Sequence, residues 1–496
     1  MAQGCDGRRY SNHLALTFGG ANECALPGLC HCNLAIWIKQ GCAMAWCWRL
    51  AILASACAAG TPTLAESPDA LAYEGAQQRY LEQSDTLEAA DAAVRAAALR
   101  YQATRTIGRP EVDVEAQVLD FQKTLFLPLG PLADVGAAFG LDDPLQFRIR
   151  ELVRRPIITA TMPLYAGGQM DAARTGAASK LAIEEAARTE TTAKGLAQVA
   201  RAYFARQLAA EARDVRRDVV GRMEQLVADA RALEREQQIA RAQRLQAEAA
   251  LEQAKREHEK AEGDLAAAEI GVMGLLRLDA PAQLVTPLAV REAPLPPVDA
   301  FVDSALANHP SIKRLDASVT LASAGVDAEA AQLRPTVYAL AQYNLDRQNT
   351  LLTDPDFILG VGVKFKIASG LGRRSQLAAA RETEAQASAG AREARNQIET
   401  GVMIAHSRAE TARKRHALYA RSIAAADESL RVARLSFREL QGTSRDVTDA
   451  ELVAASARVE QALAAYEYVD ALISLMEVSG QMERLPEYLA AAGGGE

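Results

Sequence analysis

One stretch limits what this chain can fold into more than any other: from Gln169 to about Leu233 the pattern is helical and contains no proline. At 1.5 Å per residue those 65 residues make a rod of roughly 100 Å, longer than an ordinary globular domain accommodates. Within it Val219, Met223, Leu226, Ala230 and Leu233 are spaced 4-3-4-3, the seam of a coiled coil. Aromatic residues make up 5% and hydrophobic residues 49%, largely through alanine, which suits long helices better than a compact aromatic core. The net charge of −8 and the lack of a long basic run argue against a nucleic-acid partner.

The beginning of the chain is a different kind of sequence. All seven cysteines (Cys5, Cys24, Cys30, Cys32, Cys42, Cys47, Cys57) and all three tryptophans (Trp37, Trp46, Trp48) lie in its first 57 residues. Cys30, His31 and Cys32 have metal-ligand character, but no second ligand cluster follows them. From Met44, Arg49 supplies a positive n-region and residues 50–56 an apolar run. Thr63-Leu64-Ala65 then gives small residues before Glu66, so residues 44–65 read as a secretory signal peptide and 1–43 as an extension ahead of the true start. Ala54-Ser55-Ala56-Cys57 has the form of a lipoprotein site at which Cys57 would be acylated; the simpler reading is an incidental cysteine in the signal peptide. No other segment reaches about 18 consecutive apolar residues, so no transmembrane helix is expected.

The remainder repeats itself. Thr161-Met162-Pro163-Leu164-Tyr165-Ala166-Gly167-Gly168 closes an extended stretch and opens a long helix, and Lys364-Phe365-Lys366-Ile367-Ala368-Ser369-Gly370-Leu371 does the same at an offset of 364 − 161 = 203. The same offset carries Arg231, Gln238, Ala247 and Glu248 onto Arg434, Gln441, Ala450 and Glu451. Upstream, Arg109-Pro110 and Arg334-Pro335 match at 225, so the first copy holds 225 − 203 = 22 extra residues, assigned to the Pro/Gly-rich loop at 127–144. The expected order in each copy is helix, strand, loop, strand, long helix, turn, helix. The first repeat spans 66–280, with strands 111–121 and 155–165 and a helical hairpin 169–276. A proline-rich linker covers 281–297, the second repeat 298–480 has strands 335–346 and 356–367 and a hairpin 371–479, and 481–496 reads as a flexible tail. Gly167, Gly168 and Gly370 are the expected bends from strand to helix.

Four stretches alternate with period two. Val112, Val114, Ala116 and Val118 oppose Glu111, Asp113, Glu115 and Gln117; Ile158, Ala160 and Met162 share one side of the next stretch. Val337, Ala339, Ala341 and Tyr343, then Phe357, Leu359, Val361 and Val363, repeat the pattern. About ten residues with apolar and polar sides is the signature of a tilted bilayer-crossing strand, and equally of a soluble hairpin packed on one face. Lipid tolerates no open sheet edge and four strands cannot close a barrel, so such a chain either is soluble or pools its strands with copies of itself. Attachment to rods of this length favours pooling.

At this point the sequence resembles the TolC family of outer-membrane efflux proteins. The resemblance rests on the duplicated plan, on Pro163-Leu164-Tyr165-Ala166-Gly167-Gly168, on Asn308-His309-Pro310, and on Gly442-Thr443-Ser444-Arg445-Asp446-Val447-Thr448-Asp449 at the second helical turn. It implies an α+β membrane protein: a homotrimer whose four strands per protomer close a 12-stranded outer-membrane β-barrel, continued by a long periplasmic α-helical coiled-coil barrel, with internal duplication. It implies docking to a periplasmic adaptor protein and an inner-membrane pump of RND or ABC type, contact with outer-membrane lipid, and no cofactor. Asp446 and Asp449 match the family's aperture carboxylates; at i, i+3 they share a helix face, and acids there also complement a helix N-terminus. Gln238, Ile239 and Ala240, with Gly442, Thr443 and Ser444, would be the turns that meet the adaptor.

Rival classes leave weaker traces. The six histidines are scattered, and no nucleophile elbow, phosphate loop or His-Glu-x-x-His occurs, so an enzyme is not expected. A soluble periplasmic coiled-coil scaffold or adaptor is the alternative, although no β-rich domain flanks either hairpin as an adaptor would require.

Overall fold

The computed structural model describes residues 70–346, 355–367, 370 and 372–493, with side chains as far as Ala490. The signal peptide, the segment before it and Cys57 lie outside the described residues.

In chain order, β1 (Ala70–Leu71) leads into α1 (Tyr73–Gln83) and α2 (Asp85–Ala103). Then come β2 (Glu111–Leu127), the short α3 (Ala133–Ala138) and β3 (Leu145–Tyr165). The long α4 (Gln169–Arg235) and α5 (Arg241–Leu276) form the first helical hairpin. After β4 (Gln283–Leu284) the second pass runs α6 (Val298–Asn308), α7 (Pro310–Ala331), β5 (Thr336–Asn344) and β6 (Phe357–Lys364). Next come α8 (Arg373–Arg438) and α9 (Ser444–Val478), and α10 (Leu485–Gly493) ends the described chain. The 67 residues of α4 and 66 of α8 are each about 100 Å of helix. No helix among the described residues is long and apolar enough to cross a membrane.

The main core gathers where α1, α4, α6, α8, α9 and α10 meet. Tyr203 packs edge to face on both Tyr73 and Phe204, which are tilted against each other, with centroids 5.2–5.6 Å apart. Gly195 is there because nothing larger fits: a Cβ on it would lie 2.2 Å from the Tyr80 hydroxyl.

The leading helices are each broken in two, at Ser84 and at His309. Pro310 occupies the first turn of α7, where its missing N–H costs nothing, and the His309 Nδ1 accepts from the Ser311 N–H at 3.1 Å to cap it.

Both segments outside the two repeats are held by this core. The linker does not run free: β4 pairs in parallel with β1, and Leu284 and Leu295 are buried. The Tyr203 hydroxyl fastens it by donating to the Leu71 carbonyl at 2.8 Å and accepting from the Thr286 N–H at 3.0 Å. The tail is not flexible through its described length either. Leu485, Tyr488 and Leu489 on α10 are buried in the core, Tyr488 beside Phe301, and each buried apolar side chain contributes about 1.5–3 kcal/mol.

The sheet has the order β2-β3-β5-β6 with every pair antiparallel. Its first hairpin is longer than expected, because the 22 extra residues go mainly into strand rather than into the connecting loop; β2 and β3 stay paired from Glu111↔Thr161 to Leu127↔Leu145. β5 covers β3 only from Tyr165 to Ile157.

Candidate functional site

Two regions present features that packing alone does not account for: one face of the sheet, and the end of the bundle where α4 turns into α5 and α8 into α9.

The register places every expected apolar row on a single face. Val112 stands opposite Ala160 and Val114 opposite Ile158; Ala160 in turn faces Ala341, and Ala341 faces Leu359. Val114 is 69% exposed, Leu359 72% and Val361 68%, so this face is apolar and bare. The opposite face carries Glu111, Asp113, Glu115, Thr159, Thr161, Gln342 and Lys364. The two edge strands, β2 and β6, run in opposite directions, so β6 of one copy can pair antiparallel with β2 of another.

At the junction with α4, Gly167 and Gly168 adopt φ of +66° and +102°. A Cβ on Gly167 would meet the Ala331 carbonyl oxygen at 2.8 Å, and the Gly167 carbonyl accepts from Arg334 Nη1 at 2.9 Å. Both conformation and space therefore demand glycine there. Gly370 lies between β6 and α8, and a Cβ on it would touch nothing within 4 Å.

The two helical turns are superposable in their hydrogen bonding. Gln238 N–H donates to Leu233 O at 2.9 Å, and Gln441 N–H, 203 residues on, to Ser436 O at 2.8 Å. The left-handed residue in each is not a glycine: Gln237 has φ +60° and Leu440 φ +59°, a conformation that costs a side-chain-bearing residue about 1–2 kcal/mol. Gly442 is not among the left-handed residues. Gln238, Ala240 and Thr443 are exposed, Ile239 is half-buried, and Leu440 is 48% exposed. Ser444 departs from expectation: it is fully buried and donates to the Gln243 carbonyl at 2.8 Å, tying the start of α9 to the first turn of α5.

Asp446 and Asp449 share a face and line an open groove between α8 and α9 with Glu428, Ser429 and Val432. Asp446 also completes a capping box: its carboxylate accepts from the Thr443 N–H and hydroxyl, both at 2.8 Å, and these bonds hold its carboxyl below the usual range. Asp449 is largely exposed, 3.6 Å from Arg445.

The strongest electrostatic feature of this end lies one turn further along α9. Glu451, 1% exposed, accepts from Arg434 at 2.6 Å and from Arg222 on α4, so one carboxylate joins three helices. The chain shows the first-hairpin counterpart at Glu248, which accepts from Arg231 at 2.8 Å and Arg244 at 2.7 Å; those bonds hold its carboxyl below the usual range. Arg231, Glu248, Arg434 and Glu451 all sit in the repeat alignment, so the four residues stand out as sequence identities, while their pairing and the burial of Glu451 do not.

Among the described residues no group of acidic, histidine or cysteine side chains is arranged to hold a metal ion. A family model, the outer membrane efflux protein, matches residues 301–481. No curated protein matches the chain. Among solved structures it is similar to the VceC outer membrane protein of Vibrio cholerae, at 14% identity and TM-score 0.67 over 82% of this chain and 96% of that one. The CmeC outer membrane channel of Campylobacter jejuni matches at 12% identity and TM-score 0.66 over 84% and 89%. The open-state MtrE outer membrane channel of Neisseria gonorrhoeae matches at 18% and 0.65 over 82% and 88%. Residues 301–481 thus carry an outer membrane efflux protein domain, and the chain shares the fold of these outer-membrane channels.

Proposed function

We propose that the chain is one protomer of a trimeric outer-membrane exit duct, passively conducting what an inner-membrane pump and a periplasmic adaptor deliver. The observation that carries this reading is the sheet: four strands with one bare apolar face and two antiparallel free edges. Lipid accepts such a face only if the edges are paired, and three copies supply twelve strands for a closed barrel. The shared turn geometry and the Arg231–Glu248 and Arg434–Glu451 pairs support an internal duplication behind the two passes.

Gln238, Ala240 and Thr443 are the accessible parts of the docking turns, with Leu440 held in a strained conformation beside them. In the assembly Asp446 and Asp449 form carboxylate rings at the periplasmic aperture, where they favour cations. Asp449 is the clean probe of that ring, because Asp446 also caps its helix. In planar bilayers the detergent-purified protein should conduct, trivalent cations should block it, and Asp449→Ala should weaken the block. A monomer soluble without detergent would remove the duct; undiminished block in Asp449→Ala and in the Asp446→Ala/Asp449→Ala pair would remove the ring. Cysteines at Ala240 and Thr443 that trap no adaptor would remove docking at these turns.

A further inference from the structure

The first hairpin changes sides partway along. From Glu111 to Val118 the apolar residues lie on the bare face and the polar ones on the other, with Val112, Val114, Ala116 and Val118 opposite Ala160, Ile158, Pro156 and Arg154. Beyond Val118 the pattern inverts. The side that was polar now carries the cross-strand pairs Leu119↔Val153, Leu125↔Phe147 and Leu127↔Leu145. The side that was apolar now carries Gln122↔Arg150 and Thr124↔Arg148, with Arg150 bound to Asp120 at 2.7 Å. The eight residues before the switch are about 26 Å of strand, matching an apolar band of about 25 Å. The nine after it, Leu119 to Leu127, form a two-stranded ribbon of about 30 Å that β5 does not cover.

We propose that the ribbons of three copies converge through this inverted face and form an apolar collar over the outer mouth of the duct. The inference rests on the trimeric reading given above. Closure of the barrel turns the polar face of the sheet to the lumen, so the same side of each ribbon faces the axis. The surfaces it meets there are the equivalent faces of the other two copies. The outward side of the ribbon sets Asp120, Arg148 and Arg150 among Leu152 and Phe126, charges that water accommodates and lipid does not. Charge agrees with this occupant. The inverted face holds one cation and one anion, Lys123 and Glu151, and among the described residues neither has an ionic partner. A three-fold rotation carries Lys123 of one copy towards Glu151 of the next, which satisfies both where an unpaired charge in an apolar contact would be costly. An apolar constriction of this kind resists water and ions until it parts.

Single cysteines on opposite faces of the ribbon test this in the full chain in outer-membrane fractions, with a short bismaleimide and the parent chain as blank. Leu125→Cys should yield covalent dimers of the chain at roughly ten times the level of Thr124→Cys, since neighbours in a strand point to opposite faces. Lys123→Glu should reduce the Leu125→Cys product, and adding Glu151→Lys should restore it. Equal or greater coupling through Thr124→Cys, or coupling of Leu125→Cys to some other molecule, overturns the collar. The size of the detergent-solubilised particle separates the two readings: a trimer without Leu125→Cys coupling rejects the collar alone, and a monomer rejects both.

Discussion

Arg434 on α8 donates to Glu451 on α9 at 2.6 Å, across the two helices of one hairpin, and the carboxylate is almost wholly enclosed. Arg222 reaches the same carboxylate from α4, so Glu451 is one of the points at which the second hairpin is fixed to the first. Removing one member of a buried pair leaves the others uncompensated, whereas exposed pairs contribute little.

Glu451→Ala should therefore destabilise this end of the bundle by about 2–4 kcal/mol, reduced from the fully buried case because both arginines keep some solvent. Glu248→Ala, whose partners are more exposed, should cost clearly less. Hydrogen exchange in residues 222–230 and 434–447 reads the difference; equal effects would show that burial is not what matters.

The α7 cap should be pH-dependent. Burial pushes the His309 imidazole below its ordinary 6.5, against the pull of Glu190 and Glu477 and with the repulsion of Lys194. The unfolded chain then binds a proton more readily, so this contribution is full above about 6.5 and is lost as pH falls below it. Protonation also removes the lone pair that accepts from Ser311. His309→Asn keeps a capping acceptor without the titration, and should flatten the dependence of the thermal midpoint between pH 7 and 5.

The two strand-to-helix junctions should differ in their tolerance. Gly167→Ala combines a left-handed backbone with a clash against Ala331 and should cost about 2–3 kcal/mol. Gly370→Ala, in open space, should stay within about 0.5 kcal/mol. Thermal unfolding in detergent compares them.

The bare sheet face should reject charge. Val361→Arg should cost about 2–4 kcal/mol if that residue lies near the bilayer midplane, and should lower the yield of assembled protein in outer-membrane fractions. Gln342→Arg, on the opposite face, should assemble normally. Equal yields would argue that lipid does not contact the Val361 side.

Much of this architecture is local in origin and could be read from residue order. An unbroken helix from Gln169 follows from the absence of proline and the abundance of alanine, and alternation at Val112–Val118 follows from the two-residue period of a strand. The offset of 203 already aligned Arg231 and Glu248 with Arg434 and Glu451.

What tertiary structure alone decided are the relations between distant segments. Periodicity gives each strand two sides but not which sides coincide; only the register puts Val114, Ala160, Ala341 and Leu359 on one face. The adjacent Val118 and Leu119 break the alternation in the sequence itself, but only the unbroken register shows that the sides change there instead of a bulge absorbing the shift. Ser444 looked like an exposed turn residue and is buried, because the neighbouring hairpin covers it. The tail looked free from composition, yet Leu485, Tyr488 and Leu489 are held by a core to which Phe301 and Tyr468 contribute. Burial is a property of what lies opposite, and no local pattern of a chain contains that.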